Sequence, residues 1–167
     1  MAEKGSNYTL IGMPGAGKST IGVLLAKALG YEFVDTDLVI QKREGKLLKE
    51  IIEEAGNEGF KIIEEEVNAS VQAEKSVIAP GGSAIYSDKA MKHFRDIGTV
   101  IYLKLSYETV KKRLGNLKAR GVVLKEGQTL YDLYCERVPL YEKYADVSVE
   151  LDNLSIGSSL EKVLENL

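Results

Sequence analysis

Near its start the chain runs Tyr8-Thr-Leu-Ile-Gly12-Met13-Pro14-Gly15-Ala16-Gly17-Lys18-Ser19-Thr20, an apolar stretch flowing into the spacing G-x-x-x-x-G-K-S. Glycines at these positions let the backbone turn tightly with its N–H groups facing inward, and a helix opening at Ser19 adds its positive dipole end. Lys18 supplies a mobile cation and Ser19 a hydroxyl of the kind that ligates magnesium, so the expected guest is the phosphate tail of a nucleoside triphosphate. Ile21, Leu24, Leu25, Ala28 and Leu29 follow at helical spacing, the setting that distinguishes a phosphate loop from a glycine-rich turn. Two further groups could work beside it. Phe33-Val-Asp35-Thr36-Asp37 ends a short apolar run with two carboxylates, one able to serve a metal ion and the other a substrate hydroxyl. Simple helix capping by Asp35, with Asp37 in the first turn, is the competing reading. Ala79-Pro80-Gly81-Gly82-Ser83 could turn backbone N–H groups toward an acid or hydroxyl, or be a plain turn.

The elements that must carry these groups alternate. Strand patterns occur at Tyr8–Gly12, Phe33–Asp35, Val77–Ala79, Thr99–Leu105 and Val147–Leu151. Helical patterns occur at Ser19–Leu29, Asp37–Glu44, Leu47–Ala55, Glu58–Glu74, Asp88–Asp96, Ser106–Leu114, Thr129–Tyr144 and Ser158–Leu167. This order predicts an α/β fold of three layers with a five-stranded parallel sheet between helices. Each candidate group then lies beyond the carboxyl end of a strand, where open parallel sheets bind ligands. Ser158-x-x-Glu161 reads as a capping box for the last helix. Glu64 reads as the partner of Lys61 one turn earlier. Gly115–Gln128 is rich in glycine and positive charge without a helical period and is a candidate mobile lid carrying Arg120. Tyr131, Tyr134, Tyr141 and Tyr144 crowd one helix and read as packing residues with polar tips.

Size and charge narrow the class. A chain of 167 residues suits one domain, 1–167, with residues 1–6 as an unordered lead. Its 22 basic and 25 acidic residues give a net charge of −3 with no long basic run, which argues against nucleic acid as a partner. No apolar stretch is long enough for a membrane span and the N-terminus lacks a signal-peptide core, so a cytoplasmic location is expected; a monomer is expected as well. The single cysteine, Cys135, excludes an intrachain disulfide, and the lone His93 reads as a surface residue.

Taken as a set, the loop Gly12–Thr20, Phe33-Val-Asp35-Thr-Asp37, Gly59-Phe60-Lys61-x-x-Glu64, Pro80-Gly81-Gly82-Ser83, the pair Arg113 and Arg120, and Arg137-Val-Pro139-Leu-Tyr141 with Ala145-Asp146 resemble the shikimate kinases, P-loop kinases of the nucleoside-monophosphate-kinase type. The resemblance runs nearly end to end. It implies transfer of the γ-phosphoryl of ATP, with Mg2+, to the 3-hydroxyl of shikimate. By the same resemblance Lys18, Asp37 and Arg120 are catalytic, and Asp35 with Ser19 holds the metal. Gly12, Met13, Pro14, Gly15, Ala16, Gly17, Lys18, Ser19, Thr20, Arg113, Arg120 and Ile156 bind the nucleotide. Asp37, Lys61, Gly81, Gly82, Ser83 and Arg137 bind the acceptor. Phosphoryl transfer needs positioning and charge neutralisation more than covalent help, which suits this set.

The departures gather on the acceptor side. Lys61 stands where the family has arginine, Ser83 where it has a third glycine, Ile52 where it has an aromatic residue, and Gly121 where it has proline. An ammonium in place of a guanidinium at a carboxylate is expected to cost about 1.5–3 kcal/mol, roughly 10- to 100-fold in affinity. Another small hydroxy acid or polyol is therefore an open alternative acceptor. A nucleotide-dependent regulatory protein is a third possibility. Its guanine-reading Asn-Lys-x-Asp would fall at Asn116-Leu-Lys-Ala119, which lacks the aspartate.

Overall fold

The computed structural model describes residues 5–115 and 124–167. Arg120, Gly121 and most of the candidate lid lie outside the described residues, as do residues 1–4 of the expected lead. Of that lead Ser6 accepts a hydrogen bond from the Lys75 backbone N–H at 2.9 Å.

Five strands form one sheet: β1 (Asn7–Ile11), β2 (Glu32–Asp35), β3 (Ser76–Ala79), β4 (Gly98–Lys104) and β5 (Val147–Glu150). Every neighbouring pair is parallel, in the order β2-β3-β1-β4-β5. The central strands are continuous apolar runs because both of their faces are covered. Leu10, Val77, Ile78, Val100, Ile101 and Leu103 have no exposed surface. Among the described residues seven α-helices accompany the sheet: α1 (Lys18–Leu29), α2 (Thr36–Glu44), α3 (Leu48–Ala69), α4 (Asp88–Ile97), α5 (Tyr107–Arg113), α6 (Leu130–Tyr144) and α7 (Ile156–Glu165). After β1 the chain steps to one side for β2 and β3 and to the other for β4 and β5. That reversal opens a crevice at the carboxyl ends of the strands.

Asn7 fixes the opposite end of the sheet. Its side-chain amide donates to the Ala73 carbonyl at 2.7 Å and the Ile97 carbonyl at 3.0 Å, and its Oδ1 accepts from the Ser76 N–H at 3.0 Å. The main core lies around the sheet, and a smaller cluster of Ile40, Ile51 and Val67 joins α2 to α3.

Two boundaries differ from the sequence pattern. The expected helix 58–74 stops at Ala69, where Ser70 leaves the helical conformation and its hydroxyl donates to the Glu66 carbonyl at 2.7 Å; beyond it the chain is tied to other elements, the Val71 carbonyl to His93 Nε2 at 2.6 Å and the Ala73 carbonyl to Asn7. His93 is thereby partly buried and tied to the fold rather than a free surface residue. The last helix begins at Ile156, capped by Ser155, whose hydroxyl accepts from the Ser158 N–H at 3.1 Å. Ser158 is thus inside the helix and the expected capping box at Ser158 does not form. The break expected near residue 56 is present, since Gly56 has φ 74° and ψ 172° and divides α3 into two helical stretches. In that left-handed region a side chain would be strained.

Candidate active site

The loop after β1 closes on itself. The Ala16 N–H bonds the Met13 carbonyl at 3.0 Å, and Gly15 and Gly17 have φ of 82° and 89°, values that favour glycine. Lys18 opens α1 and folds back, its Nζ donating to the Gly12 carbonyl at 2.6 Å and the Met13 carbonyl at 3.0 Å. Burial lowers its pKa to about 8, with Arg137 lowering it further and Asp37 opposing. A cation so placed favours an anionic neighbour. Arg113, at the end of α5, reaches across to donate to the Gly15 carbonyl at 3.1 Å. Ile156 lies at the first turn of α7 and is largely exposed.

The structure realises the capping reading of the Asp35–Asp37 pair. Asp35 Oδ1 caps α2 by accepting from the Asp37 N–H at 2.9 Å. That engagement uses one oxygen, and Asp37 sits in the first helical turn lining the cavity below the phosphate loop. Burial, with the nearby negative charge of Asp35, pushes the Asp37 pKa up to about 6, against the pull of Lys18.

The segment after β3 supplies the opposite wall, and its glycines prove to be points of close approach. A methyl group on Gly81 would stand 2.9 Å from both Asp37 Oδ1 and Glu64 Oε2, and one on Gly82 would stand 2.8 Å from Arg137 Nη1. Ser83 donates from Oγ to Glu64 Oε1 at 2.5 Å. The expected pairing of Glu64 with Lys61 does not form. Glu64 is buried, 4% exposed, while Lys61 leans outward to Glu58 at 3.6 Å. Burial holds the Glu64 carboxyl above its ordinary range, the Ser83 hydrogen bond opposing and Asp37 adding to the rise.

Arg137 projects from α6 and is 8% exposed. Its Nε donates to the Tyr86 hydroxyl at 3.4 Å. The remaining tyrosines of α6 pack as expected: Tyr134 donates to the Leu105 carbonyl and Tyr144 to Asp88, both at 2.9 Å. Tyr141 stacks on Tyr102 at 5.0 Å, and Tyr131 packs edge-on against Tyr107.

A single cavity of about 520 Å3 runs from Pro14 and Lys18 past Asp37 to Lys61, Glu64, the segment Gly81–Ser83 and Arg137. Ile52 and Phe60 add apolar wall. Sequence reasoning missed Tyr86, Gln128 and Glu136, which also line it. Tyr86 carries no spacing signal, whereas Glu136 could have been flagged by adjacency to Arg137. The arrangement joins a triphosphate cradle to a small polar chamber lined by both acidic groups (Asp37, Glu64, Glu136) and basic ones (Lys18, Lys61, Arg137). Among the described residues no group of three potential metal-ligating His, Cys, Asp or Glu side chains occurs, and no helix is long and apolar enough to cross a membrane.

A parallel sheet of this order, with a phosphate loop after its central strand and an acidic pair after the next, defines a P-loop phosphotransferase. Comparison with known proteins narrows the class. The family model described as shikimate kinase matches residues 14–167. A shikimate kinase of Chlorobium chlorochromatii is 36% identical, covering 100% of this chain and 93% of its own. One from Histophilus somni is 39% identical, covering 99% of this chain and 96% of its own. The structure of the shikimate kinase from Acinetobacter baumannii in complex with shikimate superposes with a TM-score of 0.84 at 33% identity, over 98% of this chain and 93% of that one. The chain belongs to the shikimate kinase family.

Proposed function

We propose that this chain transfers the γ-phosphoryl group of ATP to the 3-hydroxyl of shikimate, giving shikimate 3-phosphate and ADP. The observation that carries the reading is the single cavity in which Lys18, Asp37 and Arg137 meet. Family membership and the shikimate-bound relative of the same fold support the acceptor. Asp37, with a pKa near 6, is ionised at neutral pH and basic enough to take the hydroxyl proton. The freed oxygen forms a bond to the γ-phosphorus as the bond to the β–γ bridging oxygen breaks. Lys18 exchanges the Gly12 and Met13 carbonyls for phosphate oxygens and balances the developing charge. Arg137, with Lys61, binds the acceptor's carboxylate.

The oxygen donors Ser19 Oγ and the Asp35 carboxylate fit a hard divalent cation, since capping engages only Asp35 Oδ1 and Mg2+ takes few protein ligands when phosphates supply the rest. Bound Mg2+ neutralises phosphate charge and orients the triphosphate. Arg113, beside the phosphate loop, and Ile156 flank the adenine in this reading, and Arg120 closes over the phosphates. The enzyme works as a monomer on these two substrates, without nucleic acid or membrane, in the ATP-supplied cytoplasm. Its net charge of −3 fits that absence of nucleic acid.

A coupled ADP-release assay with MgATP across shikimate, other hydroxy acids, polyols and nucleosides tests the reading. Shikimate is expected to give the highest kcat/KM. No rate with shikimate beside a clear rate with another acceptor would refute it.

A further inference from the structure

Tyr86 is an aromatic residue with no core to fill. It ends the short 3-10 turn Gly82–Tyr86 after β3, is 40% exposed, and lines the acceptor end of the cavity. Two cations approach its ring, Lys61 Nζ at 5.9 Å and Arg137 Cζ at 5.6 Å from the centroid. The negative face of a π-system offsets the repulsion between them. Its hydroxyl is oriented as well. Arg137 Nε donates to it at 3.4 Å, and Glu136, the residue before Arg137 on α6, lines the same cavity. Glu136 is fixed from behind by Gln128 Nε2 at 2.7 Å and Lys125 Nζ at 3.5 Å. With Nε occupied, the terminal nitrogens of Arg137 are left to face Gly82, where Nη1 would touch an added methyl.

We infer that Tyr86 is a positioning residue for the acceptor's anionic group. It turns the Arg137 fork toward the cavity through the hydroxyl that anchors Nε and holds Lys61 near the same anion through its ring. The inference rests on the proposed acceptor and deepens it. It also accounts for how a lysine serves at this position: an ammonium on a flexible stem lacks the planar fork of arginine, and the ring supplies part of the missing orientation.

Steady-state kinetics of Tyr86→Phe and Tyr86→Leu test this, with shikimate and ATP varied separately and melting temperatures recorded. Tyr86→Phe keeps the ring and loses the hydroxyl, so its shikimate KM is expected to rise about threefold; Tyr86→Leu loses both and is expected to show a rise of about tenfold or more. The ATP KM and kcat should stay within about twofold, a split that general loosening of the fold would not give. In an Arg137→Lys background, which has no Nε to anchor, Tyr86→Phe should add almost nothing. Absence of shikimate turnover by the unmodified protein would overturn the acceptor and this inference with it. Normal turnover by the unmodified protein with an unchanged shikimate KM in Tyr86→Leu would overturn the inference alone, as would a parallel rise in the ATP KM.

Discussion

Replacing Gly81 by alanine should slow the chemical step while leaving the nucleotide site intact. Gly81 has φ −61° and ψ 160°, a backbone conformation alanine adopts freely, so any effect must come from the methyl group. That methyl would stand 2.9 Å from Asp37 Oδ1 and 2.9 Å from Glu64 Oε2. Each distance is about 0.5 Å short of ordinary carbon–oxygen contact, and both carboxylates belong to the acceptor wall. A misplacement of about 1 Å at a reacting group can cost about 10²-fold, so a shift of about half that at Asp37 should lower kcat about tenfold. Overpacking should cost about 1–3 kcal/mol, a fall in Tm of roughly 2–4 °C per kcal/mol for a chain of this size. Gly82→Ala instead meets Arg137 Nη1 at 2.8 Å and should raise the acceptor KM more than it lowers kcat. Gly157→Ala, with nothing within 4 Å of the added carbon, is the control and should leave the kinetics unchanged. ADP-release kinetics with each substrate varied, beside circular dichroism melts, provide the assay. A kcat for Gly81→Ala within twofold of the unmodified protein would refute the claim that the glycine makes room for the catalytic carboxylate.

Asp37→Asn should abolish transfer and yet raise Tm at pH 7–8. With a folded pKa of about 6 against an ordinary 3.8, the fold favours the protonated form, so the stabilisation this gives is full below about pH 3.8 and lost as pH rises through 6. The gain from asparagine should therefore shrink toward pH 4, and an equal gain at all pH values in melts from pH 4 to 8 would contradict it. By the same titration, kcat/KM of the unmodified protein should fall about tenfold per unit below pH 6, read from an initial-rate pH profile. Ser83→Ala removes the donor to the buried Glu64 carboxyl and should lower stability by about 1–3 kcal/mol in urea titrations. Lys61→Arg should lower the shikimate KM, since a planar fork matches a carboxylate better than an exposed ammonium; an unchanged or higher KM would argue against an anion at that position.

Residues that act through their neighbours in sequence were legible before folding. The phosphate loop is one, because its chemistry is written in nine consecutive residues from Gly12 to Thr20 and the helix that follows. The Asp35–Asp37 pair is another, though the sequence leaves capping and catalysis as rivals where the structure gives Asp35 a cap through one oxygen only. Five strands and their helices follow from period and punctuation. What escaped depends on contacts distant in sequence. Glu64 turns from Lys61 to Ser83 because a hydroxyl 19 residues away enters the same buried space. The glycines at 81 and 82 look like a turn until Asp37, Glu64 and Arg137 are brought against them. Helix α3 ends early at Ser70, and the chain beyond it is held by His93 and Asn7, both distant in sequence.

The Asn7 side chain joins backbone groups 66, 69 and 90 residues away, and this has a consequence for how the protein is made. β1 leaves the ribosome first, yet its two neighbours in the sheet are β3 and β4. At synthesis rates of about 5–20 residues per second, the strand's apolar face and both unpaired edges wait several seconds for partners. The phosphate loop is suspended from that strand, so nucleotide binding should be acquired late, once β4 has closed the second edge. In a translating chain, protection by ATP should therefore appear only after residues beyond about 104 have emerged, and loss of the Asn7 amide should show first as aggregation of the nascent protein rather than as a kinetic defect in the finished enzyme.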